Sequence, residues 1–356
     1  MYNLDYVSEK NRIGFQEDMI LDYCSSKTLR VLEIPDGMIV SGSSGGPGVF
    51  TQTSYLEESN FHNGFGAPEK NLPKDPETSE EEIVFIGSFS GIWGHCITDN
   101  LKHLWILLDP HHPLLKLKLA YVMQNDEESL PDSFLKLIEL LGVPRNSLIR
   151  IRGTKQFRKV YLPEQCFFCK PGGDLFQSGK RYFTTEYAEL ISRIRENIPS
   201  VDAPEKIYFS RTALQDPRDS GEKSIEEVFR KSGFEIIFPE RLDVFAQISR
   251  LKSCKTFAAT QGSVSLNAVF CSSEAEVILI DKQNYCSPYQ LTVNQVRRGT
   301  TTIISANRSV LNPPATPWVG PFFLYKSREL CRWAHIPYHG FPLFSFLGYL
   351  CKGRKR

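Results

Sequence analysis

No two aspartates of this chain stand in an Asp-x-Asp pair, so a common two-carboxylate anchor for a divalent metal is missing. There is no His-Glu-x-x-His, no Walker loop and no full Gly-x-Gly-x-x-Gly. Those gaps argue against a zinc protease, a P-loop nucleotide hydrolase and a generic dinucleotide-dependent oxidoreductase. Charge of one sign is also lacking. With 42 Lys and Arg against 41 Asp and Glu the net charge is +1, and no bulk field favours nucleic acid. No apolar run reaches ~18 residues, so no transmembrane helix is expected. The start, MYNLDYVSEKNR, has no basic stretch followed by an apolar one, so no secretory signal is expected there. Nine cysteines, an odd and scattered set, do not form a disulfide framework; reduced thiols in a cytoplasmic setting are expected.

What is present is a chain of 356 residues with 41% hydrophobic and 23% charged content, enough for about two domains of ~100–200 residues. The most regular stretch runs from Lys206 to Asp281. KIYFSR (206–211), FEIIFP (234–239), KTFAAT (255–260) and EVILID (276–281) read as strands. SIEEVFRKSG (224–233) and DVFAQISRLKSC (243–254) read as the helices between them. Such alternation predicts parallel βαβ units, in which ligands bind beyond the carboxyl ends of the strands.

Residues 82–200 repeat the α/β pattern. EIVFIGSF (82–89), KLAYVM (118–123), SLIRIRG (147–153) and FRKVYLP (157–163) are predicted strands. TDNLKHLWILL (98–108), PDSFLKLIELLG (131–142) and TTEYAELISRIRENI (184–198) are predicted helices. PSVDAPEK (199–206) reads as a linker. The expected architecture is a β-rich N-terminal segment (1–81), an α/β lobe (82–200), a second α/β lobe (204–310) and an aromatic and basic tail (311–356). Two facing, Rossmann-like, doubly wound lobes with a cleft between them follow from that pattern.

Several groups could carry chemistry. His95 and Asp99 lie four apart in GHCITDN, where a carboxylate could fix the imidazole tautomer for a general base; simple capping of a helix start explains them equally. Ser210 and Arg211 end a strand, where the guanidinium could pair with a diphosphate or make a salt bridge to Glu222 or Asp216. Gln261, Gly262, Ser263, Ser265 and Asn267 follow a strand and open a helix. That is a place for phosphate or a plain turn capped by Ser263. Glu240 sits at another strand end, with capping and exposure as its alternative. The lone Cys166-x-x-Cys169 has no second pair and reads as structural thiols. The adjacent His111 and His112 diverge and do not form a shared metal site.

Taken together, GIWGHCITDNLKHLWIL (91–107), KIYFSR (206–211), GFEIIFPERLDVFAQISRLKSC (233–254) and AATQGSVSLNAVF (258–270) resemble glycosyltransferase family 61 in content, order and spacing. The likeness covers roughly residues 82–285. Bacterial members sit mostly in capsular and exopolysaccharide gene clusters. The resemblance implies a GT-B fold with the acceptor on the N-terminal lobe and the nucleotide sugar on the C-terminal lobe. It also implies an inverting, metal-independent transfer with no cofactor beyond a donor sugar, UDP-linked by expectation. His95 and Asp99 would then be catalytic. Arg211, Ser210, Glu240, Gln261, Gly262, Ser263, Ser265 and Asn267 would bind the nucleotide sugar. The acceptor would be a growing polysaccharide or a lipid-linked oligosaccharide. The chain departs from the family pattern at Gln261, where a His is usual, and at Ala246–Gln247, where Glu-Gln is usual. That departure keeps open a non-catalytic nucleotide- or glycan-binding protein of a polysaccharide assembly cluster.

The tail carries seven basic residues and one acidic from Trp318 onward, with ten aromatics. FPLFSFLGYLC (341–351) followed by KGRKR (352–356) suits docking on an anionic membrane at the inner face of the plasma membrane. It suits equally a C-terminal helix packed on the protein with a solvated basic end.

Overall fold

The chain opens with a strand that completes a sheet built from residues almost 300 positions later. In this computed structural model, residues 1–9, 11–12, 15, 19, 21–42, 47–61, 72, 74–169, 181–215, 219–282, 286–308 and 320–353 are described. Residues 43–46 of the flexible turn expected at 41–48, residues 66–71 and 73 of the Pro- and Glu-rich linker expected at 66–82, residues 171–174, Asp216 and Arg218 lie outside them. Strand β1 (Tyr2–Tyr6) pairs in parallel with Thr301–Ser305, Tyr2 against Thr301. The chain divides into two compact units, one of residues 23–197 and one of residues 1–22 with 198–356. They are called the central and the terminal unit below.

The central unit is built on β2 (Val31–Pro35), β3 (Met38–Val40), β4 (Gly48–Phe50), β5 (Glu77–Phe89), β6 (Lys118–Met123), β7 (Leu148–Arg150) and β8 (Thr154–Pro163). Among the described residues the order is β4-β3-β8-β5-β6-β7, with β2 also on β8. Strands β7, β6, β5 and β8 run parallel; β2 and β3 add antiparallel to β8. Helices α1 (Trp93–Cys96) and α2 (Asp132–Leu140) lie in the connections after β5 and β6. The short strands β9 (Phe167–Cys169) and β10 (Arg181–Phe183) pair antiparallel before α3 (Thr185–Glu196). Phe85, Val122, Phe157, Val160 and Ile83 form the core of the sheet. The second half of β5, from Ile83, is wholly buried, as a central strand requires.

The terminal unit contains β11 (Lys206–Phe209), α4 (Glu222–Lys231), β12 (Glu235–Ile237), α5 (Val244–Ser253), β13 (Thr256–Thr260), β14 (Glu276–Asp281), α6 (Pro288–Arg297) and β15 (Thr301–Ser305). Helices α7 (Arg328–Trp333) and α8 (Leu343–Gly353) follow. Its sheet runs β1-β15-β14-β13-β11-β12, parallel throughout. Local chemistry explains the elements. Ile225, Val228 and Phe229 give α4 one apolar face, and Gly233 at φ +84° follows the helix end where a left-handed residue is needed. Asp243 caps α5 by accepting from Phe245 N at 2.8 Å.

The structure parts from the sequence expectations in three places, one being 261–267, where the expected Ser263-capped helix is a 3₁₀ turn, Ser265–Phe270, with no side-chain cap. Residues 1–81 do not stand apart as a segment: β1 joins the terminal sheet, while β2–β4 join the central one. The helix expected over 98–108 is instead two 3₁₀ turns, Asp99–Leu101 and Leu104–Leu108. Thr98, at φ −123° and ψ −87°, breaks the helix, and the side chains of Thr98 and Asn100 are bonded to local backbone. Leu101, Leu104 and Leu107 are then three apart and all buried, as are Lys102, His103 and Ile106 between them.

Candidate active site

In the central unit, β5 ends at Phe89 and the chain turns through Ser90–Ile92 into α1, which carries His95. Asn100 fixes that turn: its Oδ1 accepts from Ser90 N at 3.1 Å and its Nδ2 donates to Ser90 O at 2.9 Å. Gly91 N donates to Glu128 Oε2 at 3.1 Å. On this base His95 Nδ1 lies 2.7 Å from Asp99 Oδ2. Asp99 is buried and His95 partly exposed. A carboxylate at Nδ1 takes the N–H of that nitrogen and leaves the lone pair on Nε2, the tautomer a base needs. The Thr98 hydroxyl, 2.9 Å from Gly94 O and 3.1 Å from Asp99 Oδ2, steadies the carboxylate.

Two neighbours of this pair were not visible in the sequence. Phe61 meets the His95 ring edge-on, with centroids 5.1 Å apart. Lys102 is buried, donates to Asn60 O and lies 5.8 Å from the Phe61 ring. Burial lowers the Lys102 pKa to about 8, against the pull of Asp99 and Glu58. Phe61 comes from a loop more than thirty residues upstream with no local signal. Cys166 and Cys169 are buried thiols outside any disulfide, and Cys166 N donates to Lys102 O at 2.8 Å. Burial raises both thiol pKa values.

In the terminal unit the chain steps from β11 outward to β12 and then back across to β13. The strand order reverses between β11 and β13, which is where open parallel sheets bind ligands at their carboxyl ends. Phe209 pairs with Ala259, so Arg211 and Gln261 each lie two residues beyond one paired position. The switch point therefore brings together Ser210, Arg211, Gln261 and Gly262.

Their roles differ. Ser210 is buried, and its hydroxyl, like that of Thr212, donates to Glu226 Oε1 on α4. It frames the site and does not open to a ligand. Arg211 is half-buried and its backbone N donates to Glu222 Oε1 at 3.3 Å. Among the described residues its guanidinium has no hydrogen bond or ion pair, so Glu222 holds its backbone and not its charge. Glu222 also accepts from Tyr208 Oη at 3.0 Å, and its pKa is raised by burial.

Gln261 is 1% exposed, and among the described residues neither amide atom has a hydrogen-bond partner. Gly262 follows at φ +133° and is exposed. A Cβ there would come within 3.7 Å of Lys282 Nζ, so that ammonium lies beside the Gly262 backbone. Lys282 itself is spent on Asp219, 2.7 Å away, in a pair buried on both sides. Lys282 immediately follows β14, and the strand-end rule could have found it. Ser263 is half-exposed. Ser265 is turned inward: its hydroxyl takes the Gly262 N–H at 3.1 Å and lies 2.6 Å from Gln290 Oε1. Asn267 is buried and donates to Val264 O at 2.9 Å. Ser265 and Asn267 thus build the turn and face away from the strand ends. Glu240, exposed in the 3₁₀ turn 239–241, stands past the neighbouring strand β12.

Beside this edge α4 starts at Gly221, φ +89°, with no side-chain cap. A cavity of about 470 Å³ adjoins it, lined by Thr212, Asp219, Gly221, Phe323, Ser345 and Tyr349 among others. Uncapped N–H groups at a helix start favour an anion. Among the described residues no group of three or more His, Cys, Asp and Glu comes together as a metal site.

A family profile described as Glycosyltransferase 61 matches residues 93–278, from α1 to within β14, and so takes in both the His95 pair and the strand ends around Arg211. Among solved structures the chain is similar to the bacterial iron-containing dodecameric glycosyltransferase TibC from enterotoxigenic E. coli H10407. That likeness is 11% identical, covers 72% of this chain and 78% of that one, and has a TM-score of 0.27. It is too loose to carry a conclusion. No curated protein matches.

Proposed function

The chain belongs to glycosyltransferase family 61, and from that premise we propose that it is an inverting, metal-independent enzyme using a nucleotide-sugar donor. Its acceptor in this reading is a cell-surface polysaccharide or a lipid-linked oligosaccharide, and it works in the cytoplasm. The two α/β units take the two roles of a GT-B enzyme, acceptor on the central unit and donor on the terminal one. The observation that carries the reading is the 2.7 Å contact of His95 Nδ1 with the buried Asp99.

In the proposed step an acceptor hydroxyl gives its proton to His95 Nε2 while its oxygen forms the new bond to the anomeric carbon. The bond from that carbon to the diphosphate oxygen breaks on the opposite face, and the configuration inverts. Asp99 stabilises the imidazolium that results. The departing diphosphate gains negative charge, and three groups are available for it: the guanidinium of Arg211, which has no ion pair among the described residues, the start of α4 and the backbone at Gly262. The donor is UDP-linked in this proposal, and no other cofactor enters.

Thermal-shift measurements against UDP, GDP, CMP and their sugars, with and without EDTA, test the donor half. Stabilisation by one nucleotide diphosphate, unchanged by EDTA and lost in Arg211→Ala, is expected. Stabilisation that requires a divalent metal would end the metal-independent reading. A second reading, a non-catalytic binding protein, draws on Gln261, a position at which the family resemblance leads one to expect His. Sugar transfer by the purified protein decides between them.

A further inference from the structure

Among the described residues helix α8 is fixed to the terminal unit through one side. Phe346 and Tyr349 are buried against Phe323, with ring centroids 5.2 and 5.4 Å apart. Phe341 closes on Phe346 at 5.3 Å, and Tyr349 Oη donates to Pro321 O at 2.7 Å. The opposite side stays bare: Leu343, Phe344 and Leu347 are 54%, 88% and 47% exposed. With 3.6 residues per turn these three and the exposed Cys351 share one arc of roughly 100°.

Charge tells what fits that arc. No acidic residue follows Glu329, and the chain ends Lys352-Gly353-Arg354-Lys355-Arg356. The exposed Arg308 adds a guanidinium over the Phe341 and Phe346 rings, 4.3 and 5.2 Å from their centroids. A second copy of the chain on this face would bring two basic ends together. An anionic surface neutralises them. An eleven-residue helix is about 16 Å long, too short for a hydrocarbon core of roughly 30 Å. An apolar arc with basic residues after it is the pattern of a helix lying in the headgroup region.

We propose that the Leu343–Phe344–Leu347 face of α8 docks on an anionic lipid surface, to which the basic sequence after the helix adds electrostatic attraction. The proposal is independent of the transferase reading. It is tested by flotation of the full chain with phosphatidylcholine vesicles containing or lacking phosphatidylglycerol. Binding to the anionic vesicles alone, weakened by salt, is expected. Phe344→Asp with Leu347→Asp alters only exposed side chains and should lower the partition constant by at least about tenfold. Neutralising Arg354, Lys355 and Arg356 with Gln should cost about fivefold for each charge. The melting temperature of both variants stays as in the parent chain without any nucleotide, which confirms folding and keeps this outcome separate from the transferase reading. No flotation with anionic vesicles at low salt, or unchanged flotation of the double Asp variant, overturns the proposal. So does a dimer in solution that Phe344→Asp splits, because the face then belongs to a second copy.

Discussion

Lys102 is a buried amine whose burial holds its pKa at about 8, where an unfolded lysine titrates near 10.5. Between those two values the unfolded chain holds a proton that the folded chain has released. Stability gained through this residue therefore rises with pH across that window. Relative to Lys102→Met, the parent chain should gain about 3 kcal/mol of stability between pH 8 and pH 10.5. Paired denaturant titrations at the two pH values measure this, and a constant difference would show that the amine is not desolvated. His95→Ala should lower turnover by ~10²–10⁴-fold and leave the nucleotide thermal shift in place. Gln261→Met removes two buried polar atoms that have no partner among the described residues, and should raise the melting free energy by about 1–3 kcal/mol while weakening donor binding. A loss of stability would mean that the amide has a partner in the free protein. At this scale, legibility depended on locality. His95 and Asp99 are four apart and Arg211 ends a patterned strand, so short blocks showed them. Phe61, Lys102 and Glu226 acquire their roles only through tertiary contacts, which no spacing encodes.

Elements of the terminal unit were the easiest to read, because each strand is a short apolar run and each helix has a face and a stop. β14 occupies the residues its sequence suggests, and α4 and α5 end within two residues of expectation. The 98–108 segment was misread because its leucines fit a helical stripe, while the deciding bonds run from Thr98 and Asn100 side chains to the backbone. One glycine fixes how α4 begins. Gly221 is left-handed, and a Cβ there would run into Leu324 O. Gly221→Ala should displace the segment before α7 and cost about 1–3 kcal/mol or more, read as a lowered denaturation midpoint. A midpoint within error of the parent would show that the 324 segment yields without cost.

On the scale of the whole molecule the central unit is an insertion: residues 23–197 are continuous, while the terminal unit is assembled from both sides of them. The division of the chain falls between residues 197 and 198, and two α/β patterns were legible. The split of the first 81 residues between the two units was not, because pairing partners of short edge strands leave no trace in their own sequence. A fragment of residues 23–197 should melt cooperatively by itself. A fragment of residues 198–356 lacks β1, leaves β15 with an open edge, and should aggregate more readily than the full chain. Non-cooperative melting of 23–197 would refute its independence. The same strand sets a schedule for biosynthesis. β1 leaves the ribosome well before its partner Thr301–Ser305, which follows about 300 residues later, roughly 15–60 s at ~5–20 residues per second. Throughout that interval Tyr2, Leu4 and Tyr6 have no native neighbour strand. The nascent chain thus carries an adhesive end past the whole central unit, and chaperone occupancy during translation should concentrate there.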